Sequence, residues 1–225
     1  MKVVLCCPSL SGPMKPFMKS LKKSVPLIRA AGWEIAMEHE IGNPYISQAR
    51  ALMTRRALDI GADVIVYLDY DLSWKPEDLL TLLTTTGDVV AGTYRFKTEE
   101  VKYMGALLSN EQGTPSLRED GCIYADRVPA GFLKVTRKVI FRFMEAYPDL
   151  LYGDKWNPSI DLFNHGAYKG VWYGEDYAFS RNWIDCGGEI IVVPDLDISH
   201  HTAEKEFKGN FHKFLMTQEG GSNHA

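Results

Sequence analysis

The stretch Val64-Ile65-Val66-Tyr67-Leu68-Asp69-Tyr70-Asp71-Leu72-Ser73-Trp74-Lys75-Pro76 decides how this chain is read. Its first five residues are apolar, mostly β-branched or aromatic and unbroken, the pattern of a strand buried on both faces. The run stops at an Asp-x-Asp pair. Pro76, Glu77 and Asp78 then open a helix, with proline at its first position and acids beside the positive end of the dipole. A buried strand, an acidic turn and a helix make one unit of an α/β sheet, with its chemistry at the strand's carboxyl end.

Working outward, Lys2–Cys7 is a second buried strand, ending in the turn formers of Pro8–Pro13. Met14, Phe17, Met18, Leu21 and Val25 follow helical spacing, and Pro26 is expected to kink or end that helix. Trp33–His39 alternates as a strand. Ser47 is placed to cap a helix that Gly61 terminates. Asp88–Tyr94 is a further strand. This alternation over the first 95 or so residues predicts an α/β fold, a mostly parallel sheet with helices on both faces.

The second half reads as mixed. Strands are expected at Tyr103–Leu108, Cys122–Val128 and Phe132–Val135, then a helix capped by Thr136 and a loop from Pro148 to Tyr173. A helix from Glu175 and a strand at Glu189–Val193 close the regular structure. The expected organisation is one domain over 1–210, in two halves (1–97 and 98–210), then a tail over 211–225.

The 225 residues are 45% hydrophobic and 24% charged, with a net charge of -4. That balance disfavours a broad nucleic-acid footprint, leaving nucleic acid only as an acceptor. Cys6, Cys7, Cys122 and Cys186 match no zinc spacing or disulfide framework. They read as buried thiols of a reducing compartment. No leader pattern precedes the first strand, and no apolar run reaches the roughly 20 residues of a membrane span. A cytoplasmic location is expected, the host cytoplasm if the protein is viral.

Four groups of residues carry chemistry. Asp69 and Asp71, as positions i and i+2 leaving a strand, are expected to project together, and such a pair suits Mg²⁺ or Mn²⁺. Trp172-Tyr173-Gly174-Glu175-Asp176 puts carboxylates at a helix start beside aromatics, where one could deprotonate a hydroxyl. His200-His201 follows the last expected strand, and an imidazole there could complete a metal site, favouring Mn²⁺. Pro8 and Ser9 lie where a nucleotide would rest, and Arg50 and Lys97 are the cations best placed for its phosphates. Neither a dinucleotide-binding glycine motif nor a P-loop is present.

Together these stretches resemble the GT-A glycosyltransferase superfamily, in particular its short members from phages and large viruses. The resemblance rests on Asn43-x6-Arg50, Val64–Pro76, Val89–Tyr94, Pro129–Phe132, Gly174–Tyr177 and Ile198–His200, in that order. It implies a GT-A fold and transfer of a sugar from a nucleotide-diphosphate donor, UDP-linked by preference, to an acceptor it does not name. It also implies that Asp69 holds donor ribose or sugar, that Asp71 and His200 bind the metal, and that Glu175 or Asp176 meets the acceptor or acts as base. Gly131 would let the sugar approach the backbone, and Pro8 and Ser9 would line the nucleotide pocket. Thr202 stands where such sequences often have glycine. The rival readings are transfer onto a modified base of phage DNA, a sugar nucleotidyltransferase, and a non-catalytic carbohydrate- or nucleotide-binding module.

Overall fold

In the computed structural model, residues 1–220 are described. The first half runs β1 (Lys2–Ser9), α1 (Lys15–Ala30), β2 (Glu34–Ile41), α2 (Ile46–Asp59), β3 (Val64–Leu68), β4 (Leu72–Trp74), α3 (Pro76–Thr84) and β5 (Val89–Ala91). The second continues with β6 (Ala106–Leu107), β7 (Ile123–Arg127), β8 (Phe132–Thr136) and α4 (Arg137–Ala146). Two hairpins follow, β9 (Leu151–Asp154) with β10 (Asn157–Ile160), and β11 (Gly166–Tyr168) with β12 (Val171–Tyr173). Then come α5 (Glu175–Asp185), β13 (Ile190–Val192), β14 (Ile198–His201), β15 (Glu206–Phe207) and α6 (Phe211–Gly220).

The central sheet has eight strands in the order β2-β1-β3-β8-β5-β13-β7-β6. Strands β2, β1, β3, β5, β13 and β6 share one direction, while β8 and β7 run against it. The expected α/β architecture is present, with one rearrangement: β8 lies between β3 and β5 and separates strands that are neighbours in sequence. The two halves read from the sequence therefore share one sheet.

Period-two alternation assigns each strand's side chains to two cores. Val4, Cys6, Ile65 and Tyr67 join a cluster under α2, α4 and α5, while Val3, Leu5, Cys7, Val66 and Leu68 join a second under α1 and α3. Each fully buried aliphatic chain contributes about 1.5–3 kcal/mol relative to exposure. Cys6 and Cys7 thus face opposite layers, and all four cysteines are free thiols, Cys186 only half-buried.

Several local expectations change. Pro26 neither ends nor breaks α1, which continues to Ala30, because Pro26 and Lys22 both lie on its exposed face and the freed carbonyl can meet water. Ser47 lies inside α2, buried; Asn43 instead turns the chain into the helix, its Oδ1 accepting from the Tyr45 N–H at 3.0 Å. The loop expected from Pro148 to Tyr173 is mostly hairpin, and β13 does not close the regular structure. Segment 211–225, read as a tail, contains α6, whose Phe211 and Phe214 rings pack 5.0 Å from Tyr103; residues 221–225 lie outside the described residues. Among the described residues no helix is long and apolar enough to cross a membrane.

Candidate active site

The acidic turn owes its shape to the end of β3. The strand stops at Leu68, and Asp69 to Asp71 form a turn closed by the Leu72 N–H donating to the Asp69 carbonyl at 3.2 Å. The two carboxylates therefore do not project together, because the alternation that would align them requires extended backbone. Asp69 points into the sheet edge. Its Oδ1 accepts from Arg50 at 2.9 Å and its Oδ2 from the Tyr94 hydroxyl at 3.1 Å. Each oxygen thus accepts one hydrogen bond and keeps a lone pair for a further partner.

Asp71 is brought to a different partner by a small second sheet, β15-β14-β4. β4 follows the turn immediately and pairs antiparallel with β14, setting His200 opposite Leu72 and the His201 N–H on the Asp71 carbonyl. The His200 Nε2 stands 3.5 Å from Asp71 Oδ2. On the other side of its ring, Nδ1 lies 2.8 Å from the Arg95 carbonyl, which can only accept, so Nδ1 carries the proton. In the neutral ring Nε2 then offers a lone pair toward a carboxylate. Two facing acceptors call for a cation or a proton between them. His201, next along the strand, points to the opposite face and bonds Ser73 Oγ at 2.8 Å.

Lys97 also reaches Asp71 Oδ2, as an ion pair. Burial pushes the Asp71 carboxyl up, but Lys97, together with His200 when its ring carries both protons, outweighs it and holds it below the ordinary aspartate value. A carboxylate kept ionised beside an imidazole lone pair suits Mn²⁺, and Mg²⁺ less well. Among the described residues no third His, Cys, Asp or Glu joins them. The donor set fits an ion that takes its other ligands from a diphosphate and water.

A cavity of about 230 Å³ opens beside this pair. Pro8 and Ser9 from the end of β1, Asn43, and Asp69, Asp71 and His200 line it together, joined by Tyr70, which the sequence reading did not single out.

Arg50, 2% exposed on α2, ties this edge to α5. Its guanidinium donates to Asp69 and, at 2.8 Å, to Glu175 Oε1, and it lies 5.1 Å from the centre of the Phe163 ring. Arg50 therefore organises carboxylates and is not free for phosphates. Glu175 is engaged by the same bond. Asp176 is different: its Oδ1 accepts the Tyr177 N–H at 2.8 Å, and among the described residues Oδ2 accepts no hydrogen bond. Burial, then the Glu175 charge, pushes its pKa up to about 6 against the opposing pull of Arg50.

Gly131 has a different reason from the expected one. A Cβ there would lie 2.2 Å from the Tyr94 hydroxyl and 2.3 Å from Asp69 Oδ2. The space that the missing side chain frees is filled by Asp69 and Tyr94, not held open for a sugar. Trp172 does not line the cavity; it stands 71% exposed on β12, its ring 6.2 Å from His165. Two participants were not read from the sequence. Tyr94 lay in a stretch noted for its strand pattern and for the resemblance but given no role at the site, and the Arg95 carbonyl is a backbone group with no sequence signal.

No protein-family model and no curated protein matches the sequence. Solved structures do. Crystal structures of S. aureus TarS 1–349, in complex with UDP-GlcNAc and without mention of a ligand, match at 12% identity and a TM-score of 0.44. The complex with UDP matches at the same identity and a TM-score of 0.40. The alignments cover 87% of this chain and 56% to 58% of those structures, so the chain spans little more than half their length.

Proposed function

We propose that this protein is a metal-dependent glycosyltransferase that moves a sugar from a nucleotide-diphosphate donor, UDP-linked by preference, to an acceptor hydroxyl. The observation that carries the reading is the Asp71–His200 pair, with its tautomer set by Arg95, at the wall of a cavity of about 230 Å³. A bound Mn²⁺ or Mg²⁺ supplies Lewis-acid stabilisation of the departing diphosphate.

The chain's own residues divide the remaining work. Asp71 and His200 hold the ion, and Pro8, Ser9 and Asn43 bound the space for base and ribose. Asp69, fixed by Arg50 and Tyr94, offers its carboxylate edge to the donor's hydroxyls. Lys97, now paired with Asp71, would be free to meet the phosphates if an ion took its place there. For an inverting transfer, Asp176 accepts the acceptor's proton at Oδ2, with a pKa near working pH as a general base requires. Glu175, bound to Arg50, positions that helix start. Trp172 offers an aromatic face on the acceptor side.

The test is a panel of nucleotide sugars incubated with and without Mn²⁺, with free sugar and nucleoside diphosphate as the readout. Slow donor hydrolysis that needs the metal is expected even without acceptor. If no donor is hydrolysed and UDP does not bind, the reading fails, and a non-catalytic module replaces it.

A further inference from the structure

The outer face of α1 plays no part in the site described above, yet it is the most one-sided charge distribution in the chain. Lys15, Lys19, Lys22, Lys23 and Arg29 all stand exposed on it, and the helix contains no acid. They fall within one arc of a helix roughly 24 Å long. On α2, by contrast, Arg55 pairs with Asp59 and Arg56 with Glu40. Among the described residues none of the five on α1 makes an ion pair.

Between α1 and the β4–α3 connection runs a groove of about 540 Å³. Lys15, Lys19 and Lys23 line one wall, and Lys75 and His201 the other, with Glu206 as the acid at its edge. Lys75 is itself paired with Asp197, so the uncompensated charge is that of α1. One apolar side chain of α1, Met18, stands 46% exposed among these cations, and Leu10, on the loop before the helix, is 64% exposed.

We infer that the α1 face docks on the anionic phospholipid headgroups of a membrane surface, with headgroup phosphates entering the groove. Unpaired lysines supply the attraction, and Leu10 and Met18 the shallow apolar contact that such a surface accepts. The composition of the face favours this partner over nucleic acid. No exposed residue of α1 is aromatic, as stacking would require, or Asn or Gln, as base reading would. A net charge of -4 leaves the rest of the surface acidic, which repels a long fixed polyanion, whereas lipid headgroups can redistribute beneath a local patch. Leu10 also lines the donor cavity, so docking would bring the cavity mouth to the membrane.

The test is co-sedimentation of the full chain with vesicles of phosphatidylcholine alone and of phosphatidylcholine and phosphatidylglycerol in equal parts. Binding to the anionic vesicles only, lost at high salt, is expected. The double variant Lys19→Glu/Lys23→Glu should lower it roughly tenfold or more. Lys155→Glu, on an exposed lysine of the β9–β10 hairpin that lines no part of the groove, should leave it unchanged, and circular dichroism of both variants should match the parent. Equal binding to neutral vesicles, or no effect of the double variant, would overturn the inference. So would lysine-dependent binding of duplex DNA by a protein that ignores both vesicles. No outcome depends on catalysis, so the docking surface and the transferase reading stand or fall separately.

Discussion

His200 meets Asp71 across the β4–β14 pair, its Nε2 3.5 Å from Oδ2, although the two stand in opposite halves of the chain. Asp71→Asn removes a charged ligand while keeping the shape, and His200→Ala removes the lone pair. Each is expected to abolish metal-dependent donor hydrolysis and to weaken Mn²⁺ binding read by electron paramagnetic resonance. His201→Ala, on the opposite strand face, should leave Mn²⁺ binding intact; equal loss in both histidine variants would refute the assignment.

Lys97 occupies the carboxylate oxygen that an ion would take. Lys97→Met is therefore expected to tighten Mn²⁺ binding without donor by roughly two- to tenfold, the range of a partly exposed ion pair. Weaker binding in titration calorimetry would mean that Lys97 supports the ion instead of competing with it.

Asp176 must be ionised to accept a proton, so for an inverting enzyme kcat/KM should rise with pH through about 6. Asp176→Asn should lose about 10²–10⁴-fold in transfer while donor affinity survives. Transfer at the parent rate would exclude it as base.

The same group predicts a stability change of definite sign. Its folded pKa lies above the unfolded value, so between about 4 and 6 the folded state holds more protons, and stability falls as pH rises through that window. Asp176→Asn should therefore raise Tm at pH 7 relative to the parent, with the difference shrinking toward pH 4. A lower Tm at pH 7 would show that the carboxylate makes contacts that outweigh its burial.

Arg50 is buried between two carboxylates, and removing one side of such a network costs about 3–5 kcal/mol. Arg50→Ala should lower thermal stability accordingly. Arg50→Lys should recover little, because an ammonium cannot reproduce the fork that spans Asp69 and Glu175. Full recovery in a denaturant titration would reduce Arg50 to a point charge.

What the sequence disclosed follows the range of the forces involved. β3 has the bounds, and α3 the start, that the sequence predicts, because an unbroken apolar run and a proline at a helix start act locally. Gly61 likewise ends α2 at φ +78°. The hairpins within 148–173 were missed because their strands are only three or four residues long, too short to show an alternation. One signal was available there: Lys169-Gly170, both at positive φ, is a two-residue hairpin turn. β14 was invisible, since four residues gain strand character only by pairing with β4 from the other half. His200 and Asp71 could thus be named as candidates, while the separation of His200 from His201, and of Asp69 from Asp71, waited on that long-range pairing.

The insertion of β8 between β3 and β5 bears on how the chain reaches this state. Residues 1–97 contain β1, β2, β3 and β5, but β3 and β5 share no hydrogen bonds and are joined only through residues 132–136. A nascent chain therefore cannot join β3 to β5 until residues 132–136 have been synthesised, nor β5 to β7 until residues 190–192 have. The Asp69 pocket waits too, because Gly131, whose carbonyl holds the Asp69 N–H, arrives with β8. Residues 1–97 therefore do not form a continuous sheet by themselves.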